Sequence, residues 1–465
     1  MTDTSPTRRI RPTRYIYASL VLVLFGCASI PNPEPSIDIS ARGAYQRFAQ
    51  SIAFIETPIA SGSGVLIKGG FVVTNAHVVW PYDNVRVVFP DGSDFDAPVV
   101  ASDFLLDLAI VGPIDVAATI VDLESEIDIE IGEEVFLIGY PAETDEYPVP
   151  TISKGILSRV RNWDSLGVTY YQTDASIAGG QSGGVLVSGH GEVLGISGIA
   201  FEANSFALSI SGRDAARRVE ALVSESDPDG IGRRPLTSTG AYREMVVILD
   251  SYWSTSTFFL EQPQNDPISI VASSEEDVLL YIVDAYGEII VTADEYGPGE
   301  DESVEAIPYT TLRYVQVEVG SEYGATANVE SSMPMTLIDD PDDGVALEPG
   351  TIYSGNLDYP YDYDYFPITL VSGERIAILV ESIMIDSYLQ IDRRGESATL
   401  EDDDSGRGIL GLDSFMVFEA NDSGEHLIVI SDASGFESGG YRLIVREAEA
   451  GETARSFERT SDSSE

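Results

Sequence analysis

Between residues 41 and 225 the chain alternates short apolar runs with turn residues. Gly64-Val65-Leu66-Ile67, Phe71-Val72-Val73-Thr74 and Val85-Arg86-Val87-Val88-Phe89 are punctuated by Gly, Pro and Asp-Gly. Runs this short, with a period near two, predict strands, and the region reads as an all-β domain. Two stretches depart from that pattern. One is Ala41 to Ala49; the other is Gly212 to Ser224, where Ala215, Val219, Ala221 and Leu222 fall near helical spacing and Arg213, Arg217 and Arg218 face elsewhere. The second helix closes the domain. Asp227-Pro228-Asp229-Gly230 through Ser238-Thr239-Gly240 is polar and rich in Gly and Pro, which marks 226–240 as a linker.

Beyond the linker the strand pattern resumes and repeats. Ile268-Ser269-Ile270-Val271 followed by Asp277 to Glu288 has a counterpart in Ile376 to Val380 followed by Asp386 to Glu396. Acidic runs follow both, Asp294 to Glu302 and Glu401 to Asp404. A repeated unit of this length predicts two related β-sandwiches, at 241–333 and 334–448. The tail, 449–465, is polar without an apolar period and is expected to be disordered.

The charge balance narrows the function. With 26 basic and 77 acidic residues the net charge is −51, which excludes the basic footprint a nucleic-acid partner needs. The single cysteine, Cys27, excludes an intramolecular disulfide. Arg8, Arg9, Arg11 and Arg14 precede an apolar stretch of 12 residues, Tyr15 to Gly26, too short to span a bilayer but suited to a signal-peptide core. Residues 28–40, with Pro31, Pro33 and Pro35, form an extended tether rather than a fold.

Catalytic chemistry is suggested by three motifs. A hydroxyl attacks an amide poorly at neutral pH, so a serine nucleophile needs a base, a carboxylate that orients the base, and donors for the oxyanion. Thr74-Asn75-Ala76-His77 sets a histidine after a strand, Asp107-Leu108-Ala109-Ile110-Val111 sets an acid at the start of another, and Gly180-Gln181-Ser182-Gly183-Gly184 sets a serine in a glycine-rich turn. The separations, 30 and 75 residues, allow base and nucleophile to come from different barrels. The backbone N–H groups of Gly180 and Ser182 are the expected oxyanion donors, because their convergence needs torsions open mainly to glycine. Asp103 is a rival to Asp107, but only Asp107 directly precedes the apolar strand, so Asp103 is assigned to a loop.

These motifs, with Gly62-Ser63-Gly64-Val65, Gln172-Thr173-Asp174-Ala175 and Gly191-Glu192-Val193-Leu194-Gly195-Ile196, resemble the HtrA/Deg branch of trypsin-like serine peptidases over residues 45–220. The resemblance implies a chymotrypsin-like double β-barrel at 41–225, a His77, Asp107, Ser182 triad, and a substrate-pairing strand at Ile196, Ser197 and Gly198. It places Ser176 at the base of the primary pocket, and with no acid there, small or medium apolar residues are expected before the cut. A glutamate preference would need a pocket cation, for which His190, on a hairpin turn, is the nearest candidate; an exposed role without such contact is the preferred reading of it. Ala178, Gly179, Gln181 and Val185 depart from the family's usual residues.

Residues 334–448 resemble the bacterial pre-peptidase C-terminal domain, a jelly-roll-like sandwich, through Tyr353-Ser354-Gly355-Asn356-Leu357, Asp362-Tyr363-Asp364-Tyr365-Phe366 and Gly440-Tyr441-Arg442-Leu443. Asp362 with Asp364, and Asp402 to Asp404, supply the oxygens a hard cation such as calcium wants. Solvated acidic turns are the preferred reading of both groups, and no cofactor is expected. His426 is assigned to the surface. Leu24-Phe25-Gly26-Cys27 resembles a bacterial lipoprotein cleavage site, which implies a signal peptide at 1–27, lipidation of Cys27 and, through Ala28, the outer membrane; an uncleaved anchor with a free cysteine is the alternative. The expected protein is a lipid-anchored serine endopeptidase of the envelope acting on polypeptides. A non-catalytic binding or adhesion lipoprotein on the same scaffold is the alternative.

Overall fold

A computed structural model describes residues 39–453 except 59, 125–126, 128, 142–148, 177–179, 202–205, 225–231, 234–241, 250–254, 261–267, 285–286, 288, 295–296, 307–311, 320–323, 339, 394–399 and 407. Cys27 and most of the tether, linker and tail lie outside the described residues. After helix α1 (Ala41–Phe48), capped by Ser40 Oγ accepting from the Gly43 N–H, six strands form the first barrel. They are β1 (Ile52–Glu56), β2 (Ser61–Leu66), β3 (Val72–Thr74), β4 (Asn84–Val88), β5 (Asp94–Asp103) and β6 (Leu108–Val111), with α2 (Ala76–Val79) after β3. Their order is β5-β4-β1-β2-β3-β6, and β6 pairs back onto β5 to close it. Val85 and Val87 of β4 point inward while Asn84 and Arg86 point out, the period-two pattern of a half-buried strand.

The second barrel is β7 (Glu134–Gly139), β8 (Thr151–Trp163), β9 (Val168–Thr173), β10 (Val185–Ser188), β11 (Val193–Phe201) and β12 (Phe206–Ser211). It closes in the order β10-β11-β12-β9-β8-β7. One apolar cluster runs through both barrels, from Ile52 and Val73 to Phe136, Val185 and Ile210. Helix α3 (Gly212–Val223) follows β12, capped by Ser211 Oγ accepting from the Asp214 N–H. Within the expected linker, Gly232–Arg233 form a short strand β13 against Ser102 and Asp103.

The two sandwiches share one connectivity. The first contains β14 (Tyr242–Leu249), β15 (Thr255–Leu260), β16 (Ile268–Ser274), β17 (Val278–Asp284), β18 (Ile289–Ala293), β19 (Glu302–Ala306), β20 (Leu312–Val319) and β21 (Ala325–Leu337). The second contains β22 (Ile352–Leu357), β23 (Tyr363–Leu370), β24 (Arg375–Ser382), β25 (Ser387–Arg393), β26 (Leu400–Asp402), β27 (Ser414–Glu419), β28 (Gly424–Asp432) and β29 (Gly439–Glu447). In the second, the sheets run β22-β29-β24-β27 and β23-β28-β25-β26. In the first, β14-β21-β16-β19 and β15-β20-β17-β18 pair in the corresponding order. The long β21 also pairs β15, joining the two sheets of that copy at one end. The repeat read from a few residues therefore extends to every strand.

Barrels and sandwiches belong to one compact unit beginning at Asp38. Ile383 of the second sandwich is buried in the cluster shared by the barrels, with Met384, Ile409 and Leu410 against it. Ser165 Oγ donates to the Glu381 carboxylate, and Arg442 Nη1 donates 3.0 Å to the Ser165 carbonyl.

Three expectations are corrected. Arg218 does not face outward: it is buried and paired with Asp103, which ends β5 rather than lying in a loop. His426 is buried in β28 with its ring edge-on to Phe418, 5.3 Å between centroids. Asp362 and Asp364 are buried, so they are not solvated turns.

Breaking a buried ion pair from one side strands the remaining charge and costs about 3–5 kcal/mol. Arg218→Met is expected to lower stability by that amount in urea unfolding, and adding Asp103→Asn to recover part of the loss.

Candidate active site

The histidine and aspartate motifs meet at the junction of β3, α2 and β6. Asp107 is 2% exposed and adopts φ +52°, a left-handed conformation that Asp tolerates better than most residues. This turn aims its carboxylate back at α2. Oδ1 accepts the His77 backbone N–H at 3.1 Å, and Oδ2 lies 2.8 Å from His77 Nδ1. Asn75 Nδ2 donates 2.7 Å to the Asp107 carbonyl, so the residue is held by main chain and side chain together. The His77 side chain remains 39% exposed. Burial pulls the imidazole pKa down, but the Asp107 charge and hydrogen bond outweigh it, and the net shift is upward from 6.5.

Ser182 sits in a loop packed against the first barrel. Its carbonyl accepts the Ser63 N–H at 2.7 Å, and Ser63 Oγ donates 2.8 Å to the Gly180 carbonyl while accepting from the Tyr140 N–H. Gly180 is at φ +90° and Gly183 at φ +80°; a Cβ on Gly183 would lie 2.0 Å from the Ser63 carbonyl oxygen. The loop therefore accepts no side chain there. Ser182 Oγ donates to the Gly198 carbonyl at 3.3 Å.

The trypsin-like peptidase domain family matches residues 62–196, the span that contains all three motifs. This region is a trypsin-like peptidase domain of the HtrA/Deg type. Serine endoprotease DegS of Haemophilus influenzae is 37% identical over 141 residues, covering 29% of this chain and 40% of its own. Serine protease Do-like HtrA of Bacillus subtilis is 31% identical over 185 residues, covering 37% and 41%. The chain thus spans about two fifths of the length of these curated relatives. A solved structure titled HtrA-type protease AlgW with decapeptide aligns at 23% identity over 45% of this chain and 73% of its own, with a TM-score of 0.36.

Within the peptidase domain, the expected substrate strand is only partly free. Ile196 is paired to Val185 and Ile210 on either side. Ser197 exchanges hydrogen bonds of 2.8 Å with Gly183 and Gly184. The register with β12 breaks after Ser197, which leaves the Gly198 carbonyl facing Ser182. Ser176 is exposed, and the residues that follow it, 177–179, lie outside the described ones. His190 Nε2 is 3.9 Å from Glu133, at the β10–β11 turn. Sequence reasoning missed Ser63, Asn75 as a brace for Asp107, and Trp80, whose Nε1–H donates 3.0 Å to the Asp358 carbonyl of the second sandwich.

Of the acidic residues considered for a cation, Asp402 is engaged by the N–H groups of Ser405 and Phe415. Asp364 instead gathers with Asp340 and Asp342, with one ligand oxygen from each within 4.8 Å of the others. Ligands at 2.3–2.6 Å on opposite sides of calcium stand about that far apart, so the group fits a hard cation. Burial, then the neighbouring carboxylates, push Asp362 and Asp364 well above the usual range.

Because Asp107 raises the His77 pKa, Asp107→Asn is expected to lower it. Proton NMR titration of the His77 ring should show a midpoint above 6.5 in the native chain and a fall in the variant; equal midpoints would contradict the assignment.

Proposed function

We propose that the chain is a serine endopeptidase that cuts unfolded or exported polypeptides through an acyl-enzyme on Ser182. One observation carries this reading: a buried carboxylate gives both oxygens to His77. With Nδ1–H donated to Asp107, Nε2 is the basic nitrogen. It takes the Ser182 Oγ proton as that oxygen attacks the scissile carbonyl, then returns the proton to the departing amine. Water, deprotonated by the same nitrogen, hydrolyses the ester and restores Ser182. The N–H groups of Gly180 and Ser182 receive the oxyanion. Since Oγ faces the Gly198 carbonyl, a turn about the Ser182 Cα–Cβ bond precedes transfer, and such contacts tighten with substrate in place. That carbonyl is then free to accept the N–H of the residue before the cut.

The hydroxyl of Ser176 in place of an acid favours small or medium apolar residues at that position. Two relatives are named serine proteases, which supports a polypeptide substrate. Lipidation at Cys27 would tether the domain to the bacterial envelope, with the outer membrane as the destination. Among the described residues no helix is long and apolar enough to cross a membrane.

The Ser182 contact with Gly198 rather than His77 favours a second reading, a binding lipoprotein that retains a peptidase scaffold without turnover. An organofluorophosphonate probe separates the two. The first expects labelling of Ser182 and cleavage of an unfolded protein, with Ser182→Ala lowering turnover by about 10⁶-fold. Folded protein that takes no label supports the second, and cleavage unchanged in Ser182→Ala overturns the site.

A further inference from the structure

The loop 358–362 between β22 and β23 touches all three folded parts of the chain. Its Asp358 carbonyl takes the Trp80 N–H, its Tyr359 hydroxyl lies 2.7 Å from Thr255 Oγ1 of the first sandwich, and its Tyr361 ring packs edge-on to Phe436 of the second. Tyr361 is held at φ +64°, a conformation costly for a bulky residue and sustained only by its surroundings.

Trp80 directly follows α2, which carries His77, and its N–H caps that helix on the Ala76 carbonyl at 3.0 Å. Its indole also meets Phe104 edge-on at 5.0 Å, in the turn that leads to Asp107. Trp80 therefore joins both segments that form the catalytic pair, α2 through its backbone and the turn before Asp107 through its ring.

Behind this loop lies the carboxylate group. Asp364 is 0% exposed; Oδ2 accepts from the Tyr441 hydroxyl and Oδ1 has no hydrogen-bond partner. Buried Asp362 Oδ1 and Asn356 Oδ1 likewise have none. In a solvated or proton-shared turn these oxygens would be met by donors; oxygens left unmet in a dry site suit a cation. The group is tied to the loop directly. Asp342 accepts the Asn356 N–H at 2.9 Å, Asn356 Nδ2 donates to Asp358, and the Asp358 N–H donates 2.6 Å to Asp362.

We propose that a divalent cation of the calcium class, held by Asp340, Asp342 and Asp364, sets the reactivity of Ser182 by fixing the Asp358 carbonyl that positions Trp80 and, through it, His77 and Asp107. This rests on the endopeptidase reading for its rate consequence. A cation that neutralises the carboxylates favours the loop geometry in which the Trp80 bond forms, and that differential affinity is what shifts the site. Trp80 acts as a positioning residue.

The test uses the full chain, stripped by chelation and titrated with calcium chloride. Calorimetry should show saturable binding, lost in Asp364→Asn. The fluorophosphonate labelling rate should rise about tenfold with calcium, within the 5–150-fold span of ordinary coupling. Trp80→Phe, which keeps a ring against Phe104 but loses the N–H, should bind calcium as before while its labelling no longer responds. The His77 ring resonance should shift with calcium in the native chain and not in Trp80→Phe. No binding, binding without a shift of His77, or a response intact in Trp80→Phe each overturns the proposal. If Ser182 takes no label in either condition, the endopeptidase reading falls, and the His77 resonance still decides the coupling.

Discussion

The carboxylate of Asp107 is the constraint on which the site depends. A buried carboxylate is costly unless its oxygens are met by donors. Here the His77 backbone and ring N–H supply them, and the left-handed backbone of Asp107 makes the approach possible. Because one oxygen grips main chain and the other the ring, the imidazole is oriented and the helix that bears it is pinned by the same group. Asn75 then fixes the carbonyl of that residue, which leaves the pair little freedom to drift.

Ser182, the proposed nucleophile, is held by a different means. Where the His77–Asp107 pair relies on charge-assisted bonds, the Ser182 loop relies on closeness of backbone to backbone. Gly183 lies against Ser63 and Gly184 against Ile138, with spacings no side chain could share. At Gly183 the two barrels therefore meet through glycine, directly beside Ser182.

Much of this was legible in the sequence because the signals are local. The His77, Asp107 and Ser182 motifs each fit within a few residues, and the strand and helix periods marked both barrels and α3. What escaped depends on partners far along the chain. Periodicity put Arg218 on the outer face of α3, but Asp103, 115 residues earlier, draws it inside. The same limit applies to Trp80, whose partner Asp358 lies 278 residues away, and to His426, whose burial follows from which sheet β28 joins. Acidic turns looked solvated because composition does not report that Tyr441 and the neighbouring strands enclose Asp364. The internal repeat showed at two strands and the acidic run after them, while its full extent lay in pairings that sequence similarity no longer records.

Ile383 of the second sandwich is buried in an apolar cluster drawn mainly from the two barrels and the helices α1 and α3. Nicking the connecting segment between α3 and β14 would accordingly yield two polypeptides that remain associated as a noncovalent pair, and the barrel half, if pulled free, would present a greasy scar to solvent. The architecture behaves less like beads on a string than like a pair of barrels whose rear wall is supplied from far along the chain.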